Sequence, residues 1–187
     1  MRQPRMTTQR LVLRPCTDGD AAALVTLAGD ARIATTTGTV PHPYTEEAAR
    51  SWLASHAPAW AAGSQVHFAI VDRHHDELRG VISLRRDGEE TANIGYWIGV
   101  PYWGQGLATE ACAALVAFGF KHWALAAING RHLPENPASG RVLLKNGFAV
   151  QGRIRVPFPI RGRDEDLDTY RLTYEGWLVG SLAHPLD

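Results

Sequence analysis

Residues 94–111 constrain this chain more than any other segment; they read Ile-Gly-Tyr-Trp-Ile-Gly-Val-Pro-Tyr-Trp-Gly-Gln-Gly-Leu-Ala-Thr-Glu-Ala. A strand pattern runs into a loop that carries Gly104 and Gly106, and a helix pattern begins near Thr109. Glycine allows tight turns and a close approach of the backbone to a ligand. A helix start adds free N–H groups and the positive end of the helix dipole. The segment therefore predicts an anion site that suits a pyrophosphate.

Spacing excludes two other phosphate-binding motifs at this loop. The dinucleotide fingerprint Gly-x-Gly-x-x-Gly needs glycine where this chain has Thr109, and no Gly-Lys-Ser/Thr of a P-loop follows. A strand-to-helix turn without any ligand is the alternative interpretation. The glycines alone do not decide between an anion site and a plain turn.

The periodicity of the remaining chain predicts an α/β (α+β) fold. Strand patterns cover residues 10–14, 66–72, 79–85, 91–100, 126–133, 148–156 and 167–175, and helical patterns cover residues 17–29, 45–63, 109–123 and 137–146. This order predicts a mixed sheet with helices on both faces. The helical pattern at residues 109–123 connects the strand patterns at residues 91–100 and 126–133, which implies that these two strands are parallel. Residues 30–44 lack a period and are predicted as a long loop, and residues 162–166 as a polar turn.

Composition excludes a general attraction to polyanions. The chain has 19 acidic and 19 basic residues, so no global field attracts nucleic acid or an anionic membrane. No apolar run reaches the roughly 18 residues of a membrane span, and the basic start lacks the apolar stretch of a signal peptide. Cys16 and Cys112 match no metal or redox spacing, and Cys112 lies in an apolar helical run that predicts a buried thiol.

These observations predict one domain over residues 1–187 in a reducing, cytoplasmic compartment. They predict no partnership with nucleic acid or membrane, and either a monomer or a homodimer. An arginine-rich, lysine-poor and alanine-rich composition is typical of a GC-rich bacterial genome.

A second motif has its two parts at the two ends of the helix predicted over residues 137–146. It reads Glu-Asn-Pro-Ala-Ser over residues 135–139 and Lys-Asn-Gly-Phe over residues 145–148. Asn136 can cap a helix, Pro137 suits the first helical position, and Gly147 suits its end. A cap without any catalytic part is the alternative role of Asn136.

In this order and spacing, the glycine loop and the second motif resemble the two signatures of the GNAT acetyltransferase superfamily. Tyr96-Trp97, and Pro43-Tyr44-Thr45 before the second helix, are similar to its RimJ/RimL-like group, the ribosomal-protein N-terminal acetyltransferases. The similarity spans residues 8–177. It implies the GNAT fold, in which a twisted, mostly antiparallel mixed sheet splits into a V between its central parallel strands.

The resemblance implies an acetyl-CoA-dependent N-acetyltransferase that needs no metal. The acetyl group would pass directly, in a ternary complex, to a primary amine, which is either a protein N-terminal α-amine or a small-molecule amine. Main-chain N–H groups of the loop would hold the pyrophosphate, and one N–H at the strand end would polarise the thioester carbonyl. The implied coenzyme contacts are Trp97, Ile98, Gly99, Val100, Trp103, Gly104, Gln105, Gly106, Leu107, Ala108, Thr109, Asn136 and Ser139.

Three residues carry the implied chemistry. Asn136 would bond the pantetheine arm or the incoming amine, and Ser139 would protonate the leaving thiolate or hold a water that does so. Glu110 is a candidate base, although a carboxylate at a helix start can simply complement the dipole. Further candidate bases are His67, His42 and Asp166, and solvent water is an alternative because an α-amine titrates near neutral pH.

Two positions depart from the family pattern. Leu143 stands where many GNAT enzymes carry a tyrosine acid, and Asn93 stands where Rim-like sequences often carry a glutamate. Both departures leave open an alternative function, a non-catalytic acyl-CoA-binding sensor or ribosome-associated assembly factor. A nucleotide-binding module is disfavoured, because its fingerprints are missing.

The acceptor side is predicted from less specific features. Residues 30–44 and the last hairpin would form the acceptor wall, and Trp97 and Trp103 would shape the acyl or acceptor pocket. Four arginines could meet an acidic acceptor or the adenosine phosphate of the coenzyme, or form a solvated face. They are Arg153, Arg155, Arg161 and Arg163.

Overall fold

The computed structural model describes residues 2–183; Met1 and residues 184–187 of the predicted domain lie outside the described part. Within residues 2–183 the strands are β1 (Met6–Thr7), β2 (Leu11–Pro15), β3 (Gln65–Asp72), β4 (Leu78–Arg86), β5 (Thr91–Ile98), β6 (Ala127–His132), β7 (Ala149–Phe158) and β8 (Arg163–Thr173). The helices are α1 (Ala21–Ala28), α2 (Ala31–Thr36), α3 (Glu46–Ala54), α4 (His56–Ala61), α5 (Leu107–His122), α6 (Pro137–Lys145) and α7 (Tyr174–Ala183).

All eight strands form one sheet in the order β1-β2-β3-β4-β5-β6-β8-β7. Every neighbouring pair is antiparallel except β5 and β6, which are parallel. The parallel ladder ends at Asn93 opposite Asn129. Beyond that point β5 continues to Ile98 beside β4 and β6 continues to His132 beside β8, but the two strands no longer pair with each other, so the sheet opens into a V-shaped gap. The predicted mixed sheet and its central split are confirmed.

Asp87 fastens the closed end of the gap. Its carboxylate accepts hydrogen bonds from Thr91 Oγ1 at 2.6 Å, from Asn93 Nδ2 at 2.5 Å and from Asn129 Nδ2 at 3.2 Å. Burial by itself would raise the pKa of Asp87, but these donors outweigh it and the pKa is lowered. Asn93 therefore helps to join β5 to β6 in this chain, at the end opposite the opening.

Helices cover both faces of the sheet because strand side chains alternate. On β3, Phe68 and Ile70 belong to the core that contains α5 and α6, whereas Ala69 and Val71 belong to the core that contains α1 and α3. Cys112 on α5 is 0% exposed, which confirms the predicted buried thiol, and burial raises its pKa above the ordinary range. Cys16 and Cys112 are both free. No helix within residues 2–183 has the length and apolar character that a bilayer span requires.

The prediction of a structureless loop over residues 30–44 was wrong in its first part. Residues Ala31–Thr36 form α2, and the side chain of Asp30 caps it by accepting a hydrogen bond from the N–H of Arg32 at 2.9 Å. The helix buries only Ile33, so it has no apolar period that the sequence could reveal.

The closing segment also differs from its prediction. The turn predicted at residues 162–166 lies at residues 159–162, and β8 already begins at Arg163. Residues 163–166 are charged and exposed or half-buried, so the apolar alternation of a strand is missing there. The predicted strand of residues 167–175 ends at Thr173, where α7 begins. Likewise, the single helix predicted over residues 45–63 is divided into α3 and α4.

A stacked histidine pair, of which His56 is buried and His67 half-buried, lies where α3, α4 and β3 meet. The rings of His56 and His67 lie 4.1 Å apart with an interplanar angle of 12°, and Trp52 packs edge-on against both. Burial lowers the pKa of His56 to about 3 and the pKa of His67 to about 4, because a charged imidazole loses its hydration there. Both rings therefore stay neutral in the folded protein near neutral pH.

We expect acid to destabilise the fold through this pair. An exposed histidine titrates at 6.5, so below that pH the unfolded chain binds protons that the folded pair binds only near pH 4 and pH 3. The free energy of unfolding should fall by about 3 kcal/mol between about pH 6.5 and pH 5, relative to a chain without the pair. Urea unfolding at both pH values should show roughly half of this loss in His56→Phe. The exposed His75→Phe is the control, and an equal pH slope in wild type and His56→Phe would contradict the assignment.

Candidate active site

The glycine loop connects β5 to α5 and has the backbone shape of an anion cradle. Gly104 has φ +76° and Gly106 has φ +77°, in the left-handed region that favours glycine. Gly106 directly precedes α5, so the N–H groups of Leu107, Ala108 and Thr109 have no carbonyl within the helix to which they can donate. These donors and the helix dipole point positive potential at the loop.

Arg10, which directly precedes β2, and Glu110, in the first turn of α5, together brace the loop. Arg10 donates from Nη1 to the carbonyl of Gln105 at 2.9 Å and from Nε to Glu110 Oε2 at 2.7 Å. Glu110 Oε1 accepts two more hydrogen bonds, from the N–H of Arg10 at 2.7 Å and from Thr8 Oγ1 at 2.6 Å. This role of Arg10 was not predicted from the sequence, because the strand pattern at residues 10–14 gives no sign of a partner 100 residues away.

The carboxylate of Glu110 therefore has a structural role, because it holds Thr8 and Arg10 against α5. Burial alone would raise its pKa, but the hydrogen bonds from Thr8 and Arg10 outweigh burial and the pKa is lowered. A carboxylate with a lowered pKa is a weak base. The use of Glu110 as the general base stays a prediction, and the geometry favours the structural alternative.

Main-chain groups of β5 face the open gap. The N–H of Gly99 donates to the carbonyl of Arg79, on β4, at 2.7 Å. Because main-chain directions alternate along a strand, the polar groups of Ile98 and Tyr96 point away from β4, toward the gap. The carbonyl of Ile98 accepts a hydrogen bond from the indole Nε1 of Trp103 at 2.6 Å. Among the predicted coenzyme contacts at this edge, Ile98 thus directs its main-chain groups into the gap, whereas the main-chain groups of Trp97 and the N–H of Gly99 face β4.

Tyr96 and Trp97 lie on opposite faces of the sheet. Trp97 packs against the buried cluster of Ala28, Ile33 and Val40, the last two of which belong to α2 and the loop after it. Tyr96 packs into the core that holds α5 and α6. Trp97 therefore supports the predicted acceptor segment, and Tyr96 reaches the second motif.

The first turn of α6 lies across the gap from β5. Asn136 caps the helix by accepting a hydrogen bond from the N–H of Ser139 at 3.4 Å, and its Nδ2 lies 3.4 Å from the carbonyl of Thr36. The hydroxyl of Tyr96 lies 2.9 Å from Ser139 Oγ and donates to the carbonyl of Ser139 at 2.9 Å. The structure thus brings Asn136 and Ser139 together with the end of β5, while their catalytic roles stay predictions.

His132 and Tyr170 form a buried hydrogen-bonded pair that packs against α6 and was not predicted from the sequence. His132, at the end of β6, has Nδ1 2.7 Å from the carbonyl of Leu133 and Nε2 3.1 Å from the hydroxyl of Tyr170. Because a carbonyl only accepts, Nδ1 carries the hydrogen and Nε2 accepts from Tyr170. Gly140 lies against this pair, since a Cβ there would be 2.5 Å from His132 Nε2 and 2.7 Å from Tyr170 Oη. Gly140, directly after Ser139, is the one sequence feature that indicates this close packing.

The two parts of the predicted acceptor wall contact each other. Arg161 Nη2 donates to the carbonyl of Thr35 at 2.5 Å, and the ring of Phe158 lies against Gly38. Phe158 also packs with Leu133, which directly follows β6. The last hairpin and the segment of α2 therefore meet near the open end of the gap.

The arginines of this hairpin are matched by carboxylates. Each of the four predicted arginines forms an ion pair with β8: Arg153 with Asp168 at 2.7 Å, Arg155 with Asp166 at 3.6 Å, Arg161 with Glu165 at 3.1 Å and Arg163 with Glu165 at 2.8 Å. This pairing favours the solvated face over a patch for an acidic acceptor. Of the other candidate bases, His42 is exposed, and His67 lies on β3, which β4 separates from the gap.

Residues 10–149 match the protein family described as the acetyltransferase (GNAT) domain. The uncharacterized N-acetyltransferase YoaA of Bacillus subtilis is 29% identical over 171 residues, which cover 90% of this chain and 96% of that protein. The ribosomal protein uS5 alanine N-acetyltransferase of Escherichia coli is 27% identical, with 94% of both chains covered. The solved structure of RimL, a ribosomal L7/L12 alpha-N-protein acetyltransferase in complex with coenzyme A, shares the fold with a TM-score of 0.82 at 20% identity, covering 92% of this chain and 99% of that one.

The split sheet, the glycine loop and the second motif define an acetyltransferase of the GNAT type. The chain belongs to the GNAT acetyltransferase family and is an N-acetyltransferase. The resemblance inferred from the sequence is confirmed, and the family match does not favour the non-catalytic alternative.

Proposed function

We propose that this enzyme transfers the acetyl group of acetyl-CoA directly to the free α-amine at the N-terminus of a protein. The observation that carries the proposal is the V-shaped gap, which has the anion cradle of Gly106 at one edge and Ser139 at the other. The relative that acts on ribosomal protein uS5 has an alanine acceptor, and 94% of its length aligns with this chain.

The described residues fit acetyl-CoA as the acyl-donor substrate. The coenzyme supplies a thioester, which is an acetyl group already activated toward amines. The main-chain N–H groups of the loop and of the first turn of α5 would hold its pyrophosphate, and a Cβ at Gly104 would meet nothing within 4 Å, so the loop has an open side. The edge of β5 would bind the pantetheine arm as an added strand binds. Solved neighbours in complex with coenzyme A or acetyl-CoA support this assignment.

Three groups of this chain would act on the reacting atoms. The N–H of Ile98, directed into the gap, would donate to the thioester oxygen as negative charge develops on it. Asn136 would orient the acceptor or the pantetheine amide. Ser139 would donate its hydroxyl hydrogen toward the leaving sulfur.

The state of the candidate bases favours an α-amine over a lysine side chain. An α-amine has a pKa of about 8 and a lysine amine a pKa of about 10.4, so only the first is substantially neutral without help. Glu110 pairs with Arg10, Asp166 pairs with Arg155, and His67 lies on β3, which β4 separates from the gap. An acceptor that loses its proton to solvent suits this arrangement.

We further propose that residues 1–187 act as one domain in the bacterial cytoplasm. The support is that bacterial N-acetyltransferases match this chain over 94% and 96% of their own length, and that the acceptor of one of them is a ribosomal protein.

An acceptor panel tests the choice of amine. Peptides with a free N-terminal alanine or serine, the same peptides with a blocked N-terminus and an internal lysine, and small polyamines would each be incubated with acetyl-CoA. Mass spectrometry should find acetylation of the free N-termini alone. With free N-termini unmodified, acetylation of the polyamines would favour a small-molecule amine as acceptor, and acetylation of the internal lysine would favour a protein side chain; either result would contradict the α-amine.

Ser139→Ala should lower turnover by about tenfold and leave coenzyme affinity unchanged. The loss is modest because a thiolate leaves readily, and the affinity holds because the pyrophosphate cradle lies on α5. Steady-state thiol release and calorimetric titration measure the two quantities. Unchanged turnover of a folded Ser139→Ala protein would remove Ser139 from the mechanism.

A further inference from the structure

We propose that Tyr96 is a positioning residue that aims the hydroxyl of Ser139 at the coenzyme sulfur, and that it supplies from β5 the phenol that α6 lacks at Leu143. This inference rests on the proposed function. It goes beyond it by assigning a role to a strand residue that lies 43 positions from Ser139 in the sequence.

Two hydrogen bonds fix Ser139 relative to Tyr96. The phenol oxygen of Tyr96 lies 2.9 Å from the carbonyl oxygen of Ser139 and 2.9 Å from its Oγ. The two acceptors are equally distant, so the phenol hydrogen can turn from one to the other with no movement of heavy atoms. When it points at the carbonyl, the serine hydrogen is donated to the phenol oxygen. When it points at Oγ, the serine hydrogen is free to be donated into the gap.

Burial keeps Tyr96 in the form that can donate. The ring packs into the core beside α5 and α6. Burial raises the pKa of Tyr96 well above the ordinary value of a phenol, and the hydrogen bond with Ser139 only partly opposes this. The phenol therefore stays protonated throughout the neutral range.

The packing of Leu143 explains why the phenol comes from β5. Leu143 lies one turn after Ser139 on the same side of α6, at the position of the usual tyrosine acid. It is 1% exposed, and its methyl groups lie so close to Gly130 that a Cβ there would be 2.7 Å away. A tyrosine ring has no room at position 143, whereas the ring of Tyr96 reaches the same turn of α6 from the facing strand.

The chemical step balances without a further reactant. The amine nitrogen bonds to the acyl carbon and loses a proton, the carbon–sulfur bond breaks with its electron pair on sulfur, and sulfur gains one proton. Ser139 stabilises the developing thiolate by a hydrogen bond from its hydroxyl, and Tyr96 completes the hydrogen bonding of Ser139 Oγ at that moment. The proton that the amine releases to solvent balances the proton that sulfur takes up from solvent, so Ser139 keeps its own hydrogen. Tyr96 thus acts through Ser139 and touches no reacting atom.

A double-mutant cycle tests this role. Tyr96→Phe keeps the ring and its packing, and it should lower kcat by roughly fivefold to tenfold, with the dissociation constant of acetyl-CoA unchanged. Tyr96→Phe combined with Ser139→Ala should be no slower than Ser139→Ala alone, because one residue acts through the other. Tyr174→Phe on α7 removes a phenol far from the gap and should match wild type.

The alternative is that Tyr96 merely anchors α6. In that case the two substitutions would multiply in their effects on kcat, or Tyr96→Phe would leave kcat unchanged, and either result overturns the inference. Calorimetric binding of acetyl-CoA by each variant shows that it is folded. Failure of the wild-type enzyme to release thiol with any acceptor is a separate result, which would overturn the proposed function and this inference with it.

Discussion

Replacing Gly106 with alanine is expected to weaken acetyl-CoA binding by about a hundredfold, or close to 3 kcal/mol, while the protein stays folded. Gly106 has φ +77°, a conformation that costs a residue with a side chain about 1–2 kcal/mol. The added Cβ would also lie 3.6 Å from Nη2 of Arg10, the side chain that braces the loop, so the substitution disturbs the loop whose N–H groups face the pyrophosphate. Calorimetric titration measures the affinity, and thermal unfolding measures the cost to the fold.

Gly63→Ala is the matched control for this substitution. Gly63 has φ +64° in the turn after α4, and a Cβ there would meet nothing within 4 Å. It should therefore lose similar stability and bind acetyl-CoA with unchanged affinity. Equal affinity in wild type and Gly106→Ala would show that the pyrophosphate lies elsewhere.

Gly140→Ala should reduce kcat by about a hundredfold and destabilise the fold by about 2 kcal/mol. A Cβ at this position would lie 2.5 Å from His132 Nε2 and 2.7 Å from Tyr170 Oη, and both groups are buried. Helix α6 must then move away from β6, and Ser139 and Asn136 move with it. Because proton donation depends on short distances, a small displacement costs turnover more than coenzyme affinity.

Gly180→Ala controls for the general effect of alanine in a helix. Gly180 lies in α7, where a Cβ would meet nothing within 4 Å, so the substitution should stabilise the fold by up to about 1 kcal/mol and leave kcat unchanged. Thiol release and urea unfolding should be measured on both variants. A Gly140→Ala enzyme with normal kcat would show that α6 does not position the reacting groups.

Local patterns predicted the framework of this protein. The glycine loop runs directly into the start of α5, and Asn136 and Ser139 are only three positions apart, so their motifs could be recognised without knowledge of distant contacts. The same holds for the parallel pair, because a helix between two adjacent strands of one sheet imposes it.

Contacts between distant segments could not be predicted in the same way. Arg10 meets Glu110 across 100 residues, and His132 meets Tyr170 across 38, and no spacing rule joins them. Helix α2 was not predicted because it buries only Ile33. The helix is held by its cap and by packing. The amphipathic signal that reveals longer helices is absent there.

Acetyl-CoA binding followed by thiol release in the same sample tests the central claim most directly. The protein would first be titrated with acetyl-CoA in a calorimeter, and peptides with free N-termini would then be added while free thiol is measured. We predict binding at a micromolar dissociation constant, on the order of −8 kcal/mol, and thiol release that requires a free α-amine. Binding without release across peptides and small amines would contradict the enzymatic account in favour of a sensor, and no binding would contradict the assignment of the glycine loop itself.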